Sequence, residues 1–351
     1  MTNFTRREFL QRLASGSAAL AGVWLLSACG AQQPSAPAAP QSPTASGPPA
    51  QGGSPSPSPT LATPPETTGE TQTPSEAPSA EYPHVAVARG GEPEDMVRRA
   101  LAAIGGMERF VSAGDDVIVK PNICVAYHSY EYAATTNPWV VGGLVKLALE
   151  AGARRVRVMD FPFGGTPEEA YARSGIQEQV LAAGGEMEVM ARLKYVNTDI
   201  PQGQDLTRCD IYDDVLNADV VINVPIAKHH SLARLTLGMK NLMGVIQNRS
   251  AMHRNLGQRL ADLTSRVQPA LTVVDAVRIL KAHGPSGGNL DDVMQLDTVI
   301  ASPDIVAADS YGVTLFGLKP DDLGYIQAGS AMGLGRSDLG SLKIEEFSVG
   351  G

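Results

Sequence analysis

Apolar residues recur along this chain in two rhythms. Four short runs place Val and Ile on consecutive positions: "DVIV" before Lys120, "VRVM" before Asp160, "DVVINV" before Pro225 and "LTVV" before Asp275. Consecutive β-branched residues suit strands of a parallel sheet, which are covered on both faces. Between the runs the spacing turns helical. Val140, Val141, Leu144, Val145 and Ala148 follow Asn137-Pro138, a cap with proline at the first helical position, and the pattern stops at Gly152. Thr166 and Glu169 have the spacing of a capping box, and Ser302-Pro303-Asp304 repeats the cap and proline signal ahead of "DIVAADSYGVTLFG". A helix should also follow the "LTVV" strand, although Gly284 to Gly288 would interrupt it. Alternating strands and helices predict an α/β fold, a doubly wound and mainly parallel sheet with helices on both faces.

The pattern covers only residues 83–351. Residues 30–82 are rich in Pro, Ser, Thr, Ala, Gly and Gln, and 13 of the 25 prolines lie between Ala31 and Ala80. Such a composition supplies no core and predicts an extended tether, whose reach for about fifty residues is roughly 40 Å. Residues 1–29 read as a targeting segment: paired Arg6 and Arg7, an apolar run of about fifteen residues, then Leu26-Ser27-Ala28-Cys29. The run is shorter than the ~20 residues of a spanning helix. The segment resembles a twin-arginine export signal joined to a lipoprotein signal, with Cys29 as the lipidated N-terminus after processing; an uncleaved anchor is the alternative. Either outcome predicts an exported protein at the outer face of a cell membrane, in the cell envelope.

Charge sharpens the picture. The net charge is -9, and residues 1–30 hold three Arg and one Glu (+2), so the remainder carries -11. An excess of 37 Asp and Glu over 28 Lys and Arg opposes the phosphate backbone, which argues against nucleic acid as a partner. A local concentration of Lys228, His229, His230, Arg234, Lys240 and Asn241 within "AKHHSLARLTLGMKN" therefore needs a reason. Protein partners are not legible.

Ligands of open parallel sheets bind beyond the carboxyl ends of the strands. Those ends carry Lys120 and Asn122, Asp160 with "FPFGG", Lys228-His229-His230, and Asp275 with "KAHGPSGG" and its His283. Their convergence would form a cleft for a small anionic carboxylate or phosphate. His229, His230, Lys240, Asp160 and Asp275 are the candidate catalytic residues. Lys120, Asn122, Lys228, Asn241, His253 and His283 are candidate ligand contacts. One histidine would move a proton, and adjacent side chains in an extended segment face opposite ways, so one of the pair should face the cleft. Lys240 lies in an apolar segment and must either reach outward or meet a carboxylate or ligand. Asp309, preceded by two alanines, would pair with one of the bases or serve the site. A divalent metal held through Asp160 or Asp275 is a further option, although no HExxH motif and no zinc-ligand spacing occurs. The glycine loops match neither a P-loop nor a dinucleotide motif and read as turns. Cys124 and Cys209 could form a disulfide or remain two thiols. A receptor that captures the anion without turnover is the alternative to an enzyme.

The stretches "VIVKPNI", "TTNPWVVGGLVKLALEAGARRVRVMD", "INVPIAKHHSLARLTLGMKNLMGVI", "LTVVDAVRILKAHGPSGG" and "DTVIASPDIVAADSYGVTLFG" together resemble the domain of unknown function 362 family, over about residues 85–335. The resemblance implies no assigned reaction and no catalytic residues. Many relatives are iron-sulfur proteins through attached cysteine clusters. This chain has no CxxCxxC run, so no iron-sulfur cluster is expected.

Overall fold

Three of the four Val/Ile runs become adjacent strands at the centre of one sheet, and the fourth lies beside them. In a computed structural model, which describes residues 82–350, the strands are β1 (Val85–Arg89), β2 (Asp116–Pro121), β3 (Arg155–Val158), β4 (Glu186–Met187), β5 (Tyr195–Asp199), β6 (Arg208–Tyr212), β7 (Val220–Val224), β8 (Ile226–His230), β9 (Arg234–Thr236), β10 (Leu271–Leu280), β11 (Val293–Ser302) and β12 (Ile344–Ser348). The main sheet runs β12-β1-β11-β10-β7-β2-β3-β4, with β8 and β9 branching from β10, while β5 and β6 form a separate hairpin. Neighbours are parallel except where β11 lies between β1 and β10. The export segment with Cys29 and the tether through residue 81 lie outside the described residues.

Period-two geometry sends alternate side chains to opposite faces. Val117 and Val119 join one buried cluster with the helices Pro93–Ala103 and Pro138–Glu150, while Ile118 joins the other with the helices Leu256–Val267 and Ile305–Gly312. Helices thus cover both faces, as the alternating pattern predicts. The caps form locally: Asn137 Oδ1 accepts from Trp139 N at 3.0 Å, and Thr166 and Glu169 make the reciprocal capping box. At the third signal the cap is Asp304, which accepts from Ala307 N at 2.9 Å; Ser302 instead ends β11.

Two expectations are corrected. Asp275 does not end its strand, because β10 continues five residues to Leu280. Its buried carboxylate takes Asn137 N at 2.7 Å and Val277 N at 3.0 Å, so a charge inside an apolar strand is paid for by backbone donors. Nor does a helix follow: β10 turns back through the glycine loop into antiparallel β11.

The site is positioned by a parting of strands. β2 pairs with β7 as far as Pro121 opposite Val224. After Pro225 the chain continues as β8 beside β10, with Ile226 opposite Asp275, and no longer pairs with β2. Crossovers from β2 run toward β3, those from β7 toward β10. The end of β2 is thus the point where chain order reverses, which is where open α/β sheets take ligands.

Candidate functional site

A cavity of about 360 Å³ opens at this point. Its polar wall includes Asn122, Cys124, Asp160, Lys228, His230, Lys240, Asn241, Arg249 and His253, and its apolar wall Phe161, Phe163, Leu232 and Met243. Lys120, at the end of β2, is fully buried and uses all three ammonium donors, to Asp160 Oδ1 (2.8 Å), the Pro121 carbonyl (2.7 Å) and Asn241 Oδ1 (3.2 Å). Asp160, beyond β3, also accepts from Ile123 N at 2.7 Å. Gly244 permits this ion pair, since a Cβ there would lie 1.9 Å from Asp160 Oδ1 and 2.5 Å from Lys120 Nζ.

Lys228 is buried as deeply, yet its three acceptors are neutral: Asn122 Oδ1 (2.9 Å) and the carbonyls of Ala134 (2.6 Å) and Pro285 (2.9 Å). Burial pushes its ammonium down, opposed by the Cys124 thiol, and burial pushes that thiol up. Asn122 Nδ2 donates to Asn241 Oδ1 at 2.9 Å, so the two asparagines link the two lysines in a satisfied network.

Lys240 sits on the short helix Gly238–Asn241, whose first amides, Gly238 N and Met239 N, donate to Asp309 at 2.6 and 2.9 Å. Asp309 therefore caps the turn that carries Lys240 and makes no salt bridge to the bases. Burial raises its carboxyl to about 7, the two amides opposing. Lys240 itself has no hydrogen-bond or carboxylate partner among the described residues. Burial, then the charges of Lys228 and Arg249, push its ammonium down to about 7. His230 Nδ1 accepts from Leu232 N (3.1 Å) and Ala233 N (3.2 Å), which leaves the ring proton on Nε2. Burial first, then Lys240 and Lys228, lower His230 to about 3, so it meets the cavity as a neutral donor.

The structure thus gathers Lys120, Asn122, Asp160, Lys228, His230, Lys240, Asn241 and His253 in or directly behind this cavity. Three candidates fall elsewhere. Asp275 serves the backbone amides already described, its carboxyl raised to about 6 by burial. His229 faces away from its neighbour, as alternation requires, and its Nδ1 accepts from Gly284 N at 3.1 Å. His283 is exposed and pairs with Asp292 at 2.7 Å. Cys124 and Cys209 are both free thiols. No cluster of three or more His, Cys, Asp or Glu side chains among the described residues is arranged to hold a metal ion.

Sequence reading missed Arg249, whose guanidinium is fixed by the Met243 carbonyl at 3.1 Å and the Phe161 carbonyl, with the Phe161 ring beside it. Nothing in "QNRS" marks it. Gly244 inside the apolar "LMGVI" was a legible sign of close approach.

The chain is 26% identical over 253 residues to a thylakoid-associated protein of Synechocystis sp. (strain ATCC 27184 / PCC 6803 / Kazusa), covering 68% of this chain and 74% of that one. Among solved structures, the lactate racemase apoprotein of Thermoanaerobacterium thermosaccharolyticum aligns with a TM-score of 0.42 at 13% identity, over 65% of this chain and 55% of that one. A protein of Thermotoga maritima aligns with a TM-score of 0.39 at 11% identity, over 65% of this chain and 60% of its own. Likeness at that level bears on neither substrate nor chemistry. The domain of unknown function (DUF362) signature matches residues 117–314, more than half the sequence, including every strand end that forms the cavity, and the chain belongs to that family.

Proposed function

We propose that the cavity binds a small anion, a carboxylate or phosphate with a short apolar part, and that the protein is an enzyme acting on it. One observation carries the reading. Lys228, Lys240 and Arg249 line the cavity against a single carboxylate, Asp160, which Lys120 already neutralises. Uncompensated cations in a partly dry pocket are costly unless a ligand supplies the opposite charge. Phe161, Phe163, Leu232 and Met243 offer surface for the apolar part. An amine that ionises near 7 also favours turnover over mere capture, since a proton-transfer group works best near the ambient pH.

A thylakoid-associated relative fits association with a membrane. For this chain, the proposed link is a lipid on Cys29.

The full chain should melt higher in the presence of acetate or phosphate, with about 2.7 kcal/mol of added stability at a hundredfold excess over Kd. Lys240→Met should abolish the shift. Affinity for acetate should weaken as pH rises past about 7, because the charge of Lys240, which adds to that of Arg249, is lost there. Identical melting curves with and without a panel of carboxylates and phosphates would rule the binding site out. Binding without product formation across that panel would leave a receptor.

A further inference from the structure

We propose that Lys240 forms a covalent imine with the carbonyl carbon of a small oxo acid bound in this cavity. The inference rests on the anion-binding reading and names its substrate class.

The cations round the cavity differ in what already occupies them. Lys120 and Lys228 spend every donor on protein acceptors and are buried at 0% and 1% exposure, so neither amine is available to a ligand. Arg249 is held in place by two carbonyls and has no carboxylate partner among the described residues, which suits it to the carboxylate end of a ligand. Lys240 is different. It lines the same cavity on a turn fixed by Asp309, and its nitrogen meets no acceptor among the described residues. Cationic neighbours and desolvation favour its neutral amine, the arrangement that makes a lysine a nucleophile toward carbonyls. A ligand with a carboxylate at Arg249 would present an adjacent carbonyl to the neutral amine of Lys240.

The step balances without an oxidant. The amine lone pair adds to the carbonyl carbon, the nitrogen gives up its two protons to the carbonyl oxygen, which leaves as water, and a C=N bond replaces C=O. His230, a neutral donor in the same wall, offers a hydrogen bond for the departing oxygen.

The test incubates the full chain with 2-oxobutyrate and cyanoborohydride, then locates the reduced adduct by intact mass and peptide mapping. A single adduct on the peptide bearing Lys240 is expected, none with 2-hydroxybutyrate, and none on that peptide in Lys240→Arg. That variant keeps the positive charge, and its melting curve shows whether it folds. Trapping at Lys240 should already rise between about pH 6 and 8, whereas ordinary lysines near 10.4 lag. Adducts scattered over surface lysines, equal in wild type and variant, overturn the proposal. If 2-oxobutyrate and 2-hydroxybutyrate both raise the melting temperature and no adduct forms, the imine is wrong and the anion site stands. If neither ligand shifts melting and no adduct forms, both fail.

Discussion

Lys120 and Lys228 show how two chemically identical residues acquire opposite meanings. Each is fully buried with three donors satisfied, but only Lys120 faces a carboxylate, Asp160 at 2.8 Å. Removing one member of such a pair strands the other charge in a dry setting. Lys120→Met should therefore destabilise the protein by ~3–5 kcal/mol in urea denaturation. Changing Asp160 to Asn in the same molecule should restore part of that loss, because the uncompensated carboxylate is gone. A loss below about 1 kcal/mol in the single variant would mean that Asp160 is solvated or protonated there. Lys228→Met strands no carboxylate, but it leaves Asn122 Oδ1 and the carbonyls of Ala134 and Pro285 without their donor, so it should cost about 1–3 kcal/mol, less than Lys120→Met.

Elements were legible to the extent that their sequence signals are local. The runs at β2, β3 and β7 and the caps at Asn137 and Thr166 depend on residues within a few positions of each other, and all appear where the pattern places them. Long-range pairing is what the pattern lacks. Asp275 looks like a strand end until Asn137 N, from a residue 138 positions away, supplies its partner. His229 looks equivalent to His230 until β8 pairs with β10 and sends the two rings to opposite sides, and His283 looks like part of the cleft until the loop beyond β10 leaves it exposed beside Asp292. Asp309 also reads differently in three dimensions, as the cap of the turn that carries Lys240. Its carboxyl, raised from 3.8 to about 7 by burial, carries a signed consequence. Below the lower value both folded and unfolded chains hold the proton. Between the two the unfolded chain ionises first, so stability falls as pH rises, and above about 7 the penalty is constant. Asp309→Asn lacks that ionisation. The difference in melting temperature, wild type minus Asp309→Asn, should decline from about pH 4 to about pH 7 and then level off. A flat difference would show that the two amides hold Asp309 ionised throughout.

At the scale of the whole molecule, charge decides how it could stay at a membrane. The sequence beyond residue 30 carries -11, from -9 overall less the +2 of residues 1–30, so anionic lipid repels it. Among the described residues, no helix is long and apolar enough to cross a bilayer. Electrostatic adsorption and a helical span within residues 82–350 are thus poor explanations for membrane association. The proposed lipid on Cys29 and the alternative of an uncleaved apolar segment lie outside those residues, and the lipid makes a distinctive demand. Binding through acyl chains scales with buried CH₂ groups, at about 0.8 kcal/mol each, and is insensitive to ionic strength, whereas binding through basic residues weakens as salt screens it. Membrane-bound wild type should therefore survive a molar salt wash and leave the membrane only with detergent. Cys29→Ala should move the protein into the soluble fraction or leave the precursor unprocessed. Release of the wild type by salt, or a correctly processed Cys29→Ala protein that stays bound, would mean that the domain holds the membrane by a surface of its own. The exposed Phe163 and Leu232 at the cavity wall would then be the first residues to substitute.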